Sequence, residues 1–276
     1  MDLIEFASLA IHSHSFTHAP RCPRSSSANV GKVGLVMEYC SRGDLRSLLR
    51  TAKDNALEEE IIWAILYQIG GAIEHIHQLG FIHRDIKPHN IMVAEDGDLR
   101  VGDLGIVKDL KHKLGHLTRT YAGTPAYLAP EVHGFLGYGP SVDAWSLGSL
   151  LLELSSGVPI AQRYVDDDYR PMCIASKEKK RGWKEEIRAR GYSDDLVDLV
   201  RHLLRRRPAN RPTMERVMAM PIVQQGATWT PKLRERLINT EHPDDTTELN
   251  DEQLDEPETS TWRNRQEMLR NRFEGW

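Results

Sequence analysis

The chain has 276 residues, 40% hydrophobic and 28% charged, with 36 Lys and Arg against 40 Asp and Glu and a formal net charge of -4. That hydrophobic share excludes a wholly disordered chain, and the acidic balance argues against nucleic acid as the main partner. Three scattered cysteines (Cys22, Cys40 and Cys173) cannot build a disulfide framework, and the acidic start Met-Asp-Leu-Ile-Glu is no secretory signal. The longest apolar stretches, near 61–73 and 142–154, fall short of the ~18–20 residues a membrane-spanning helix needs. These features predict an intracellular protein of one or two domains, in cytoplasm or nucleus.

Residues 1–30 are weakly patterned. His12, His14 and His18 lie near Cys22. One cysteine at irregular spacing fits a polar loop better than a zinc site. Val33-Gly-Leu-Val-Met-Glu-Tyr-Cys predicts a short buried strand over 33–39, and Ser41-Arg-Gly-Asp-Leu-Arg opens a short helix. Apolar residues at 57, 61, 65, 69, 73 and 76 predict a helix ending at Gly80. Ile91-Met-Val, Glu95-Asp-Gly-Asp and Leu99-Arg-Val predict a hairpin. Residues 141–156 read as a helix apolar nearly all round, stopped by Gly157. Such a helix is buried on every face and would be the central post of a helical domain. Leu196, Val197, Leu199, Val200, Leu203 and Leu204 share a further helix, followed by Arg205–Arg207. Residues 241–258 carry nine acidic residues and read as a solvated linker. Residues 262–276 fit either a basic amphipathic helix or an unstructured end.

The informative segment is His83-Arg-Asp-Ile-Lys-Pro-His-Asn, followed after the hairpin by Val101-Gly-Asp-Leu-Gly. Pro88 disfavours a helix, so Asp85, Lys87 and Asn90 lie on a loop, with Asn90 entering the first hairpin strand. Strands ~5 Å apart would bring Asn90 and Asp103 side by side. Both are hard oxygen ligands of the kind magnesium on a polyphosphate takes. Asp85 can accept a proton from a hydroxyl, and Lys87 can neutralise charge on a transferring phosphoryl group.

These motifs over about residues 33–223 resemble the protein kinase family. Lys87 with Pro88, and Gly123-Thr-Pro-Ala-Tyr-Leu-Ala-Pro-Glu131, resemble its serine/threonine branch. The resemblance implies an α+β fold, with a mostly helical C-terminal lobe and a truncated β N-terminal lobe. It implies Asp85 as catalytic base, Asn90 and Asp103 as magnesium ligands, and Thr124 as the residue orienting Asp85 and Lys87. Glu131 would pair with Arg211, Asp143 would anchor the catalytic loop, and His83 and Leu104 would stack inside the lobe. Leu104 stands where the family usually has Phe. Met37 would be the gatekeeper, the Glu38 carbonyl and Cys40 amide would bind adenine, Asp44 the ribose, and Met92 would floor the pocket. Arg84 would read a phosphate on segment 103–131, where Thr118, Thr120 and Tyr121 are candidate acceptors. The resemblance implies ATP, Mg2+ and a protein substrate bearing Ser or Thr, with neither membrane nor nucleic acid; it sets no oligomeric state.

Departures are as specific. No glycine-rich loop and no Val-Ala-Ile-Lys strand stand before residue 33. Residues 1–32 would be a remnant of the small lobe, with Glu5 and Leu9 on its regulatory helix. Residues 33–223 would be hinge and large lobe, and 224–276 linker and tail. Two expectations follow: a kinase incomplete as given, or a non-catalytic interaction module on a degenerate kinase fold.

Overall fold

The computed structural model describes residues 37–110, 118, 120–134, 136–163, 179–228 and 230–238. The possible zinc ligands, the helix proposed around Glu5, the acidic run and the 262–276 segment lie outside them.

The helices are α1 (Leu45–Thr51), α2 (Glu59–Gln78), α3 (Pro130–His133), α4 (Ser141–Ser156), α5 (Ile160–Arg163), α6 (Lys179–Ala189), α7 (Asp194–Leu203), α8 (Met214–Met218), α9 (Pro221–Gln225) and α10 (Pro231–Ile238). Among the described residues, four short strands join them, β1 (Phe81–Ile82), β2 (Ile91–Val93), β3 (Leu99–Val101) and β4 (Lys108–Asp109). β2 and β3 form the expected hairpin, in register Ile91↔Val101 and Val93↔Leu99. β1 pairs with β4, Phe81 opposite Asp109.

Helix α4 is the central post. Every residue from Val142 to Ser156 is buried, and the helix stops at Gly157 in the left-handed conformation, φ 69°. Leu147, Leu150, Leu151 and Leu154 show no exposure at all. Each such side chain contributes about 1.5–3 kcal/mol of burial. Four serines fit this apolar setting because they satisfy themselves locally. The Ser155 hydroxyl, for example, donates to the Leu151 carbonyl one turn back at 2.9 Å. Helix α2 packs on α4, α8 and α9, and α7 packs on α4. Starts of helices follow their caps. Asp44 accepts from the Ser47 amide at 2.7 Å before α1, and Ser193 from Leu196 at 3.3 Å before α7.

Two expectations change. Asn90 sits in a 3-10 turn, Pro88–Asn90, rather than in the hairpin strand, because proline at its first position fixes φ for a tight turn. The described end of the predicted strand 33–39 is not buried: Met37 is 61% exposed and Tyr39 86%. A strand is buried by its neighbours, and no described strand pairs with 37–39.

Candidate active site

The site loop hangs between β1 and the Pro88 turn. Its backbone is held by Asp143 from the first turn of α4. One oxygen of that fully buried carboxylate accepts the Arg84 amide at 2.8 Å. The other accepts the His83 amide at 2.9 Å and meets His77 Nε2 at 2.8 Å. Burial pushes the Asp143 pKa up. The bonds and charge from His77, with His83 and the Arg84 amide, outweigh it and leave the carboxyl below the ordinary 3.8. Arg84 takes a left-handed φ of 75°, rare for a side-chain-bearing residue, and the Asp143 clamp sustains it.

This clamp presents Asp85 and Lys87 to Thr124. The Thr124 amide donates to Asp85 Oδ1 at 2.8 Å and its hydroxyl donates to the same oxygen at 2.7 Å. Lys87 Nζ donates to the Thr124 hydroxyl at 2.6 Å and lies 3.3 Å from Asp85 Oδ2. Asn90 Nδ2 donates to Asp85 Oδ2 and to the Asp85 carbonyl, each at 2.8 Å. Burial raises the Asp85 pKa. The Lys87 ammonium, both Thr124 donors and the Asn90 amide outweigh it, so the group is held below 3.8 and is ionised near neutrality.

Asn90 spends its amide nitrogen on Asp85, which leaves its carbonyl oxygen for a cation. The Gly102 amide donates to the Asn90 backbone carbonyl at 2.7 Å, so the open end of the hairpin sets Asp103 beside Asn90. Asp103 has φ 52°, is exposed, and caps the Leu104–Ile106 turn through Gly105 at 3.2 Å. Its second carboxylate oxygen meets no donor among the described residues. One amide oxygen and one carboxylate, supplemented by substrate phosphates and water, fit magnesium, which is seldom caged by protein alone.

The predicted nucleotide residues are less assembled. Met92 is half-buried on β2, with its side chain against Gly102. Asp44 forms an isolated bridge with Met92 and uses one carboxylate oxygen as the α1 cap. Exposed Met37 is unlike a buried gatekeeper, and the Glu38 side chain pairs with Arg100 at 3.1 Å. Burial first, then Glu38, raises the Cys40 thiol pKa, which keeps it protonated.

Arg84 meets segment 103–131 at Ile106. Its guanidinium grips the Ile106 carbonyl through two nitrogens and reaches the Tyr138 hydroxyl at 3.4 Å. Thr118 is buried and bridged to Tyr138, while Thr120 is exposed. Tyr121 packs edge-on to His133, and burial pushes its hydroxyl to about 12. The Glu131–Arg211 pair forms with two bonds, 2.6 and 2.8 Å, and is buried.

Sequence reasoning missed Glu153. From the last turn of α4 it accepts Arg46 Nη1 of α1 at 2.8 Å and the Tyr127 hydroxyl, three residues past Thr124. A glutamate inside an otherwise apolar helix was the available signal. Helix α4 therefore holds the loop with Asp143 at one end and the Thr124 turn with Glu153 at the other.

A helical lobe that sets an Asp-Lys-Asn loop against a threonine turn and a carboxylate-bearing hairpin is the large lobe of a kinase-like α+β fold. The protein kinase domain family matches residues 24–223. Serine/threonine-protein kinase Nek2 of Mus musculus is 32% identical over 200 residues, 68% of this chain and 42% of the relative. Aurora kinase of Schizosaccharomyces pombe is 32% identical over 206 residues, 74% and 54% respectively. CBL-interacting protein kinase 29 of Oryza sativa subsp. japonica is 35% identical over 201 residues, 71% and 42%. The chain thus spans about half, or less, of the length of these relatives. It belongs to the eukaryotic-type protein kinase family, on the serine/threonine branch. No helix among the described residues is long and apolar enough to cross a membrane.

Proposed function

We propose that the chain transfers the γ-phosphoryl group of ATP to serine or threonine hydroxyls of a protein substrate. The carrying observation is the network that joins Asp85, Lys87, Asn90 and Thr124 within 2.6–3.3 Å. The acceptor oxygen forms a bond to the γ-phosphorus as the bond to the β-phosphate oxygen breaks, and ADP leaves. Asp85 receives the hydroxyl proton. Its lowered pKa suits a loose transition state, in which the proton moves late and the carboxylate mainly orients the hydroxyl. Lys87 lies beside Asp85 and balances charge on the phosphoryl group in flight. Thr124 fixes both side chains from a separate segment. Asn90 and Asp103 would hold Mg2+, which when bound neutralises phosphate charge. Glu38, Cys40, Asp44 and Met92 would line the nucleotide, with Met37 next to Glu38.

A non-catalytic interaction module is the less favoured reading. It has no use for a lysine, a carboxylate and an amide held in one network. Scarce cysteines support an intracellular setting, cytoplasm or nucleus. The reading is tested by incubating the chain with labelled Mg-ATP and a mixed protein substrate, then hydrolysing the product. Phosphoserine and phosphothreonine are expected. Phosphotyrosine alone, or no protein-bound phosphate, contradicts it.

A further inference from the structure

Helix α10 begins eight residues beyond the family match at 223, yet it is packed into the lobe. The Thr230 hydroxyl accepts the Leu233 amide at 3.2 Å and Pro231 opens the helix. Leu237 is fully buried, and the helix lies on α2. Arg236 pairs with Glu60 at 3.0 Å and with Glu58, at the start of α2.

Its other contact is the β2–β3 turn. Arg234 Nη2 pairs with Asp98 at 2.8 Å. Gly97 in that turn has φ 85°, and a Cβ there would lie 3.0 Å from Ile238 Cδ1 and 3.2 Å from Arg234 Cβ. Stem and head of Arg234 therefore both bear on the turn. Its Nε is buried without a hydrogen-bond partner among the described residues, a cost that the packing and the Asp98 pair offset.

The opposite end of the same hairpin is the Asn90–Gly102 pair, next to Asp103. Each strand has three residues. At about 3.3 Å per residue the turn stands only ~10 Å from the open end. So short a hairpin passes a tilt along instead of absorbing it by bending. Helix α2 holds the same turn end of β3 from the other side, where Gln68 accepts the Leu99 amide at 2.9 Å.

We propose that Arg234 is a positioning residue which, through Asp98, sets the tilt of the hairpin and so the spacing of Asn90 and Asp103. The part that concerns cation binding rests on the reading of Asn90 and Asp103 given above; the strut itself rests on geometry. Two measurements on the full chain test it. In hydrogen exchange, Arg234→Ala speeds exchange over 90–102 about threefold and leaves α4 unchanged. Arg234→Lys keeps most protection, and the reciprocal Asp98→Arg/Arg234→Asp chain regains it. In fluorescent ATP-analogue binding, Arg234→Ala raises the half-saturating Mg2+ concentration about threefold, and the reciprocal chain reverses it. Unchanged exchange over 90–102 overturns the strut. Faster exchange with an unchanged Mg2+ requirement overturns its link to the site. A parent chain that binds no Mg-nucleotide contradicts the reading of Asn90 and Asp103, while the exchange result still decides the strut.

Discussion

Thr124 is bonded twice to a single oxygen of Asp85, by its amide at 2.8 Å and by its hydroxyl at 2.7 Å. The hydroxyl also accepts from Lys87 at 2.6 Å. One short side chain thus fixes two charged groups that come from a segment 37 residues away. Without the hydroxyl, the Thr124 amide and Asn90 still hold Asp85, but the link that ties Asp85 to Lys87 through Thr124 is lost.

The first prediction follows. Thr124→Ala should lower kcat about 10–100-fold, since misplacement on the scale of 1 Å costs roughly two orders of magnitude. Thr124→Ser keeps the hydroxyl and should retain most of the rate. Steady-state phosphate transfer checks both, and equal rates for the two variants would contradict this role.

Asp143 predicts a stability effect. Asp143→Ala leaves the His83 and Arg84 amides buried without acceptors, at about 1–3 kcal/mol each. Urea denaturation should show a loss of several kcal/mol. A change below about 1 kcal/mol would contradict the clamp.

The same carboxylates predict an acid limit. Asp85 and Asp143 both titrate below the ordinary 3.8 in the folded chain. Between the lowered values and 3.8 the unfolded chain binds more protons, so stability rises with pH there. Their contribution is fully present above 3.8 and is lost as pH falls through the folded values. Denaturation midpoints measured from pH 6 downward should fall at the acid end, and Asp143→Asn should fall less steeply.

The Glu131–Arg211 pair predicts an asymmetry. Arg211 also donates to the Ser141 carbonyl at 2.9 Å and stacks 5.0 Å over the Trp145 ring. Arg211→Ala strands a buried carboxylate and should cost about 3–5 kcal/mol. Arg211→Lys keeps the charge but not the two-pronged geometry, and should cost less. Thermal denaturation of the two variants gives the order.

Gly123 precedes Thr124 at φ 110°, and a Cβ there would stand 2.4 Å from the Arg84 carbonyl. Gly123→Ala should therefore push the Thr124 turn off the loop and lower both Tm and kcat. Parent-like values for both would contradict this packing.

Much of this was legible in sequence because its signals are local. A helix without a polar face, 141–156, has to be central, and Gly157 marks its end. The run from His83 to Asn90 carries its chemistry in residue types. What was not legible depends on distant partners. Arg84 meets the segment it was expected to face at the Ile106 carbonyl, and reaches the Tyr138 hydroxyl beyond it. Glu153 joins Arg46 across 107 residues. Helix α10 fell within a stretch read as linker, although Thr230-Pro231 and the Leu233/Leu237 spacing carry a helix start and face. The strand at 33–39 illustrates the reverse. Apolar residues predict burial, but burial belongs to neighbours, and Met37 has few among the described residues.

The central claim is that Asp85 orients the hydroxyl that attacks phosphorus. Its most direct test is labelled phosphate transfer from Mg-ATP to a basic protein by the 276-residue chain, beside its Asp85→Asn variant. The account predicts transfer by the parent chain and a loss of about 10²–10⁴-fold in the variant. Transfer that survives Asp85→Asn undiminished, or a folded parent chain that transfers nothing, would contradict it.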